Sequence, residues 1–328
     1  TAIRETTTSL SSPMRNAFID FSGMTTSVVA VEMDVIRDGR PVVGFGFNSN
    51  GRYAQGGVLR ERLIPRLLEA DPQSLLDATG HNLDPTRIQA CMMTNEKPGG
   101  HGERAFAVGA IDMAIWDVVA KIEERPLYRV IADRFNNGNY DAKVPVYPGG
   151  GYYDPVKGLD GLRTEMQGYR DSGYTMMKMK IGGASIDEDM LRIQTALEVA
   201  GNGENLAVDA NAALDLDTAM NYASAMAQYD LAWFEEPVDP LDYEAYSEMA
   251  KVCTMPIATA ENLYSRSDAL NLIRHGGLRR DKDWLQFDPS LCYGPSEFIS
   301  IVKMAEGMGW ATRRHGPHGG QQLGLHLA

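Results

Sequence analysis

The chain has 328 residues, 44% of them hydrophobic and 23% charged, with a formal net charge of −13. Such an acidic surface argues against nucleic acid or an anionic membrane as partner. No stretch approaches the ~20 apolar residues of a membrane span, and TAIRETTTSL has no apolar signal core. Cys91, Cys253 and Cys292 lie far apart without CxxC spacing. They read as reduced thiols, and the expected compartment is the cytoplasm.

In chain order, residues 17–23 (AFIDFSG), 25–36 (TTSVVAVEMDVI) and 41–47 (PVVGFGF) read as strands. Residues 58–70 and 73–78 read as helix, as does 101–124, where Phe106, Ala110, Met113, Ala114 and Asp117 share a helical spacing. Strands followed by helices suggest an α+β domain, taken as residues 1–138. From residue 139 the pattern changes to strand, helix, strand. Candidate strands are 144–148, 175–181, 205–210, 231–236, 257–262, 284–289 and 310–315. This predicts an α/β fold, a modified TIM barrel of (β/α)7β type behind an N-terminal α+β capping domain. Seven strands do not close it, so the last strand and a tail are expected beyond the sequence given.

Four acids end four of these strands: Asp209, Glu235, Glu261 and Asp288. The intervals are 235 − 209 = 26, 261 − 235 = 26 and 288 − 261 = 27. One strand, one helix and two loops fill such an interval, so the acids should converge on the mouth of a parallel barrel. Converging carboxylates repel unless a cation lies among them. Asp209, Glu235 and Glu261 suggest an oxygen-ligand site for one Mg²⁺. Strand alternation sends Glu236 to the opposite face from Glu235.

Lys178 and Lys180, two apart on the second candidate strand, should both point inward. Each like charge, with partial burial, is expected to depress the other's pKa and make a base near neutral pH. The seventh strand brings His315 and His318, one of which Asp288 can hold and tune. Gly44-x-Gly46 is a weak phosphate-loop signal because it lacks the third glycine and sits among strands. Gly182-Gly183 reads as a turn, and Met176, Met177 and Met179 as barrel packing.

The K-x-K pair, the VDAN, FEEP and TAEN segments, the late Asp and His, and the helix GAIDMAIWDVVAKIEERPLY together resemble the enolase superfamily, specifically its mandelate racemase subgroup. The muconate-lactonising branch carries a lysine where this chain has Asp288. The resemblance implies Asp209, Glu235 and Glu261 as Mg²⁺ ligands, Lys180 as base and Lys178 as its electrostatic neighbour. It implies His318, or else His315, as the opposing acid/base paired with Asp288, and Asn211 as a polar residue near the metal. Within the subgroup the chain is similar to acid-sugar dehydratases, and among them to those acting on D-tartrate. The implied partners are a small hydroxy acid or dicarboxylate and further copies of the chain, as dimer or octamer. A racemase or epimerase built from the same parts, and a non-catalytic ligand-binding barrel, are the alternative readings. Lys97, in the NEKPGG loop, is a candidate to neutralise a second substrate carboxylate. Asn16 and Ser22 belong to an early loop expected to close over the site.

Overall fold

The computed structural model describes residues 1–10, 16–17, 19–48, 55–154 and 156–328. Its N-terminal unit opens with an antiparallel sheet of β1 (Ala2–Ser9), β2 (Thr25–Arg37) and β3 (Arg40–Phe47), in that order. β2 alternates apolar residues, and Val29 and Val31 are buried. β1 has no such alternation. It is a polar edge strand held by register with β2 (Ile3 against Val31, Thr7 against Ser27), which explains why its sequence does not announce it. Phe21–Gly23 forms a 3₁₀ turn capped by Asp20, not a strand, and Phe18 lies outside the described residues.

Helices α1 (Gln55–Val58) and α2 (Ile64–Glu69) are joined through a π-turn at Leu59–Leu63. The helix expected at 73–78 is only a 3₁₀ turn, Pro72–Leu75. An unexpected α3 (Pro85–Met92) follows, started by Asp84 accepting from Thr86 N at 2.9 Å and by Pro85 in its first turn. α4 (Glu103–Ile122) is buried on nearly every side, with Ala110, Ile111, Ala114 and Val118 fully buried. Gly44 and Gly46 set its approach to β3. A Cβ on Gly46 would lie 2.0 Å from Ala110 O, and one on Gly44 would lie 2.1 Å from Ala114 O. The glycine pair is thus a helix-docking groove. α5 (Leu127–Phe135) ends the unit.

A six-stranded parallel sheet follows: β4 (Gly149–Gly150), β5 (Met177–Lys180), β6 (Leu206–Asp209), β7 (Phe234–Glu235), β8 (Ile257–Thr259) and β9 (Trp284–Leu285), hydrogen-bonded in chain order. Between them run α6 (Gly158–Asp171), α7 (Ile186–Ala200), α8 (Leu216–Met226), α9 (Tyr243–Val252) and α10 (Arg266–His275); α11 (Pro295–Gly307) and α12 (Gln322–Leu327) come last. The first strand lies just beyond the expected 144–148. The seventh is reduced to one bridge, Leu285 with His315, beside a 3₁₀ turn at Thr312–Arg314. Met177, Met179, Val208, Phe234, Ile257 and Leu285 form the outer core under the helices. Ala207, Trp233 and Ala258 form a separate cluster with Tyr147 and Trp284.

Gly182 has φ +87°, as a turn after β5 requires, and Gly183 accommodates the Tyr153 ring. The three cysteines are free thiols. Among the described residues no helix is long and apolar enough to cross a membrane.

Candidate active site

The register of the parallel sheet builds the site. Lys180 pairs with Asp209, and Asp209 with Glu235, so residues far apart in sequence stand side by side at the strand ends. One oxygen each from Asp209, Glu235 and Glu261 lies within 4.8 Å of the others. Asp209 and Glu235 are fully buried, and Glu261 is slightly exposed. All donors in this set are oxygens, the type a hard divalent cation takes, and the triad is positioned for such an ion. Asn211 stands two residues after Asp209. Its backbone N–H donates to Asp209 Oδ1 at 2.9 Å, and its buried Oδ1 has no hydrogen-bond partner among the described residues.

On one flank stand the two lysines, both pointing inward and 7% exposed. Lys180 Nζ is 2.5 Å from Asp209 Oδ2, and Lys178 Nζ is 3.0 Å from the same oxygen and also contacts Glu235 Oε1. The depressed pKa expected from the K-x-K pair is not what this protein alone produces. Burial is the largest single effect and pushes both ammoniums down, but Asp209, Glu235 and Glu261 together more than offset it, so both lie above the ordinary lysine value. Counted as charges, the carboxylates outweigh one lysine's repulsion of the other. In return Lys178 and Lys180 hold Asp209 below its usual range against burial.

On the other flank His318 bridges two acids. Its Nδ1 is 3.0 Å from Asp288 Oδ2, and its Nε2 is 2.9 Å from Glu261 Oε2. Burial disfavours the imidazolium, yet Glu261 and Asp288 raise its pKa well above the normal histidine value. Asp288 is itself oriented: Ser290 N (2.7 Å), Ser290 Oγ (2.6 Å) and Gln321 Nε2 (3.2 Å) all donate to Oδ1, leaving Oδ2 for His318. His315 has a different setting. Both of its ring nitrogens are buried without a hydrogen-bond partner among the described residues, and burial pushes its pKa down to about 4.

Glu236 corrects the alternation rule. Its φ of +38° turns it out of strand geometry, and it accepts from Asn262 Nδ2 at 2.8 Å, the same amide that reaches Glu261 Oε1 at 3.4 Å. It therefore lies on the side of the triad, with burial and then Glu261 raising its pKa well above the usual value. Positive φ recurs at Asn211 (48°), Ala212 (58°) and Ala260 (96°), all just past strand ends. Such conformations cost of order 1–3 kcal/mol each and gather at functional sites.

Of the remaining candidates, Lys97 is exposed on the loop between α3 and α4, where Arg104 Nη1 donates to its carbonyl at 2.9 Å. Asn16 Oδ1 accepts from Ile19 N at 2.6 Å, and Ser22 is exposed. Sequence reading passed over Trp233, Gln286, Ser290 and Gln321. Trp233 and Gln286 carried a visible signal, since each stands two residues before an acidic strand end and so shares its face.

Two family models together cover most of the chain. Residues 1–132 match the mandelate racemase / muconate lactonizing enzyme N-terminal domain, and residues 161–328 match the enolase C-terminal domain-like family. The chain belongs to the enolase superfamily. It is 31% identical to arabinonate dehydratase of Saccharolobus solfataricus over 70% of this chain, and spans 60% of that protein's length. It is 30% identical to L-talarate/galactarate dehydratase of Salmonella typhimurium over 89% of this chain and 68% of that one. Among solved structures, a racemase from Streptomyces coelicolor A3(2) with bound magnesium superposes with a TM-score of 0.82. That match has 25% identity and covers 99% of this chain and 85% of the racemase.

Proposed function

We propose that this chain is a Mg²⁺-dependent acid-sugar dehydratase, and that the metal ligands are Asp209, Glu235 and Glu261. The observation that carries the reading is the opposition of Lys180 and His318 across the triad, one against Asp209 and the other against Glu261. A proton α to a carboxylate is very weakly acidic because the resulting dianion is unstable. When bound, Mg²⁺ supplies positive charge that offsets the three carboxylates and stabilises charge developing on the substrate carboxylate.

The chain's own residues do the rest. With the charge of the carboxylates offset in this way, Lys180 would be free to lose its proton and, as the neutral amine, take the α-proton, while Lys178 keeps a positive charge beside it. His318, fixed by Asp288, gives a proton to the β-hydroxyl, which leaves as water. Asn211 borders the metal at the mouth. The similarity to acid-sugar dehydratases supports this outcome.

Within the class we propose a short hydroxy diacid, D-tartrate, as substrate. Loss of its α-proton and β-hydroxyl gives the enol of oxaloacetate, which tautomerises. The resemblance in sequence supports this choice, and Lys97 supplies a cation for the second carboxylate. The same flanking pair suits a racemase, and the similarity to the Streptomyces coelicolor racemase favours that as the second reading. We place the boundary between the capping and barrel units at residues 138 and 139, between the end of α5 at Phe135 and the start of β4 at Gly149.

The test is a panel of acid sugars, D-tartrate included, incubated with the Mg²⁺-loaded protein and trapped with semicarbazide. Keto-acid formation from one of them is expected. Stereochemical inversion without keto acid selects the racemase. Identical behaviour of chelated and loaded protein toward every compound overturns the enzyme.

A further inference from the structure

Beneath Glu235 lies a pair of N–H donors that ion binding alone does not call for. Trp233 precedes it by two on the β7 segment, and its indole Nε1–H donates to Glu235 Oε2 at 2.9 Å. Gln286 reaches the same oxygen from beside β9, its Nε2 at 3.1 Å. Both donors are buried, at 6% and 5% exposure. The other oxygen, Oε1, faces Lys178, whose ammonium is also 3.0 Å from Asp209 Oδ2. Oε1 is therefore the oxygen on the triad side. The donors are braced from below: Tyr147 packs edge-on against Trp233 at 5.1 Å between centroids, and its hydroxyl lies 3.4 Å from Gln286 Nε2.

We propose that Trp233 and Gln286 restrict Glu235 to a single ligating oxygen and thereby make the site select Mg²⁺ over Ca²⁺. A carboxylate oxygen already accepting two N–H bonds, and held on the floor side, is a poor second ligand. Mg²⁺ demands near-octahedral geometry from single oxygens at ~2.0–2.1 Å, whereas Ca²⁺ takes six to eight oxygens at ~2.3–2.6 Å and readily uses both oxygens of one carboxylate. Pinning one oxygen of Glu235 therefore penalises the larger ion. Trp233 and Gln286 are positioning residues that act through Glu235. The inference deepens the proposed function and rests on its assignment of the triad as the metal site.

The experiment is calorimetric titration of the metal-free protein with Mg²⁺ and, separately, Ca²⁺, with no substrate present. Trp233→Phe keeps the ring and removes the N–H; Gln286→Leu removes the amide at similar size. In each variant Mg²⁺ affinity is expected to fall about tenfold, the lower end for losing a partner of a metal ligand. Ca²⁺ affinity should hold or rise, so the Mg²⁺/Ca²⁺ ratio drops at least as far. An unchanged ratio, whether both affinities persist or both weaken equally, overturns the proposal. If circular dichroism shows Trp233→Phe unfolded, Gln286→Leu decides alone. Failure of the underlying assignment looks different: the unaltered protein binds neither ion, or Glu235→Gln binds both as before.

Discussion

Two of the places where this molecule buries carboxylates are handled differently. At the mouth of the parallel sheet, Asp209, Glu235 and Glu261 sit among two ammoniums and an imidazole, in direct charge contact. At the seam between α4 and α11, Asp112 is equally buried and no cation contacts it among the described residues. It accepts from Ser296 N at 2.8 Å and Ser296 Oγ at 2.7 Å, at the start of α11. Burial, against those hydrogen bonds, raises its pKa to about 7. The mouth concentrates charge, and Asn211 Oδ1 and Glu236 Oε1 have no hydrogen-bond partner among the described residues. The seam favours neutralising Asp112, with Glu297 nearby adding to the upward push. The first arrangement is suited to holding a cation and moving protons, the second to joining two units.

Changes at the mouth should therefore alter chemistry more than stability, and changes at the seam the reverse. The largest effect is expected from Lys180→Ala, which should lower turnover by ~10³-fold or more while Mg²⁺ binding by calorimetry stays near that of the unaltered protein. A parallel loss of metal affinity would make Lys180 part of the ion site and blur the contrast. His318→Asn should cut water elimination by ~10²–10⁴-fold yet still exchange the substrate α-proton with solvent deuterium, followed by NMR. Transfer of that phenotype to His315→Asn would reassign the acid. Glu235→Gln should weaken Mg²⁺ binding and activity together, by at least ~10-fold, since a charged ligand becomes neutral.

The capping unit offers the converse. Gly46→Ala forces a methyl to within 2.0 Å of Ala110 O, so it should destabilise toward the upper end of the ~1–3 kcal/mol typical of overpacking. Denaturant unfolding reads this directly, and a neutral result would mean that α4 can move off β3.

A comparable effect, a pH dependence, is expected at the seam. The folded pKa of Asp112 lies above its unfolded value of 3.8, so folding takes up a proton between the two. Its stabilising contribution is complete below about 3.8 and is lost as pH rises through about 7. Measured by melting, the unaltered protein should accordingly lose roughly 2–3 kcal/mol of stability relative to Asp112→Asn between pH 5 and pH 8. A constant difference across that window would show that Asp112 stays in one protonation state.

Legibility in the sequence follows the same division. The acidic strand ends could be read because a βα unit has a nearly constant length, so spacing alone aligned Asp209, Glu235, Glu261 and Asp288. The inward lysines followed from the two-residue period of a strand. Asp84 and Pro85, an N-cap and first-turn pair, also marked α3, though the segment was passed over. β1 was unreadable because AIRETTTS is a polar edge whose partner is 16 or more residues away.

What the amino-acid order determined by itself was periodicity: which residues share a strand face, which acids recur at one interval, and hence a barrel-type mouth lined with carboxylates. Only the tertiary structure decided where local rules break and which charges prevail. Positive φ at Glu236 and Ala260 turned side chains that alternation would have sent elsewhere. The pKa of Lys180 rises because Asp209 comes within 2.5 Å across a strand pair, an approach from 29 residues away that no local pattern encodes. Propensity and period act over a few neighbours, whereas electrostatics and close packing act over ångströms, between whatever residues the fold brings together.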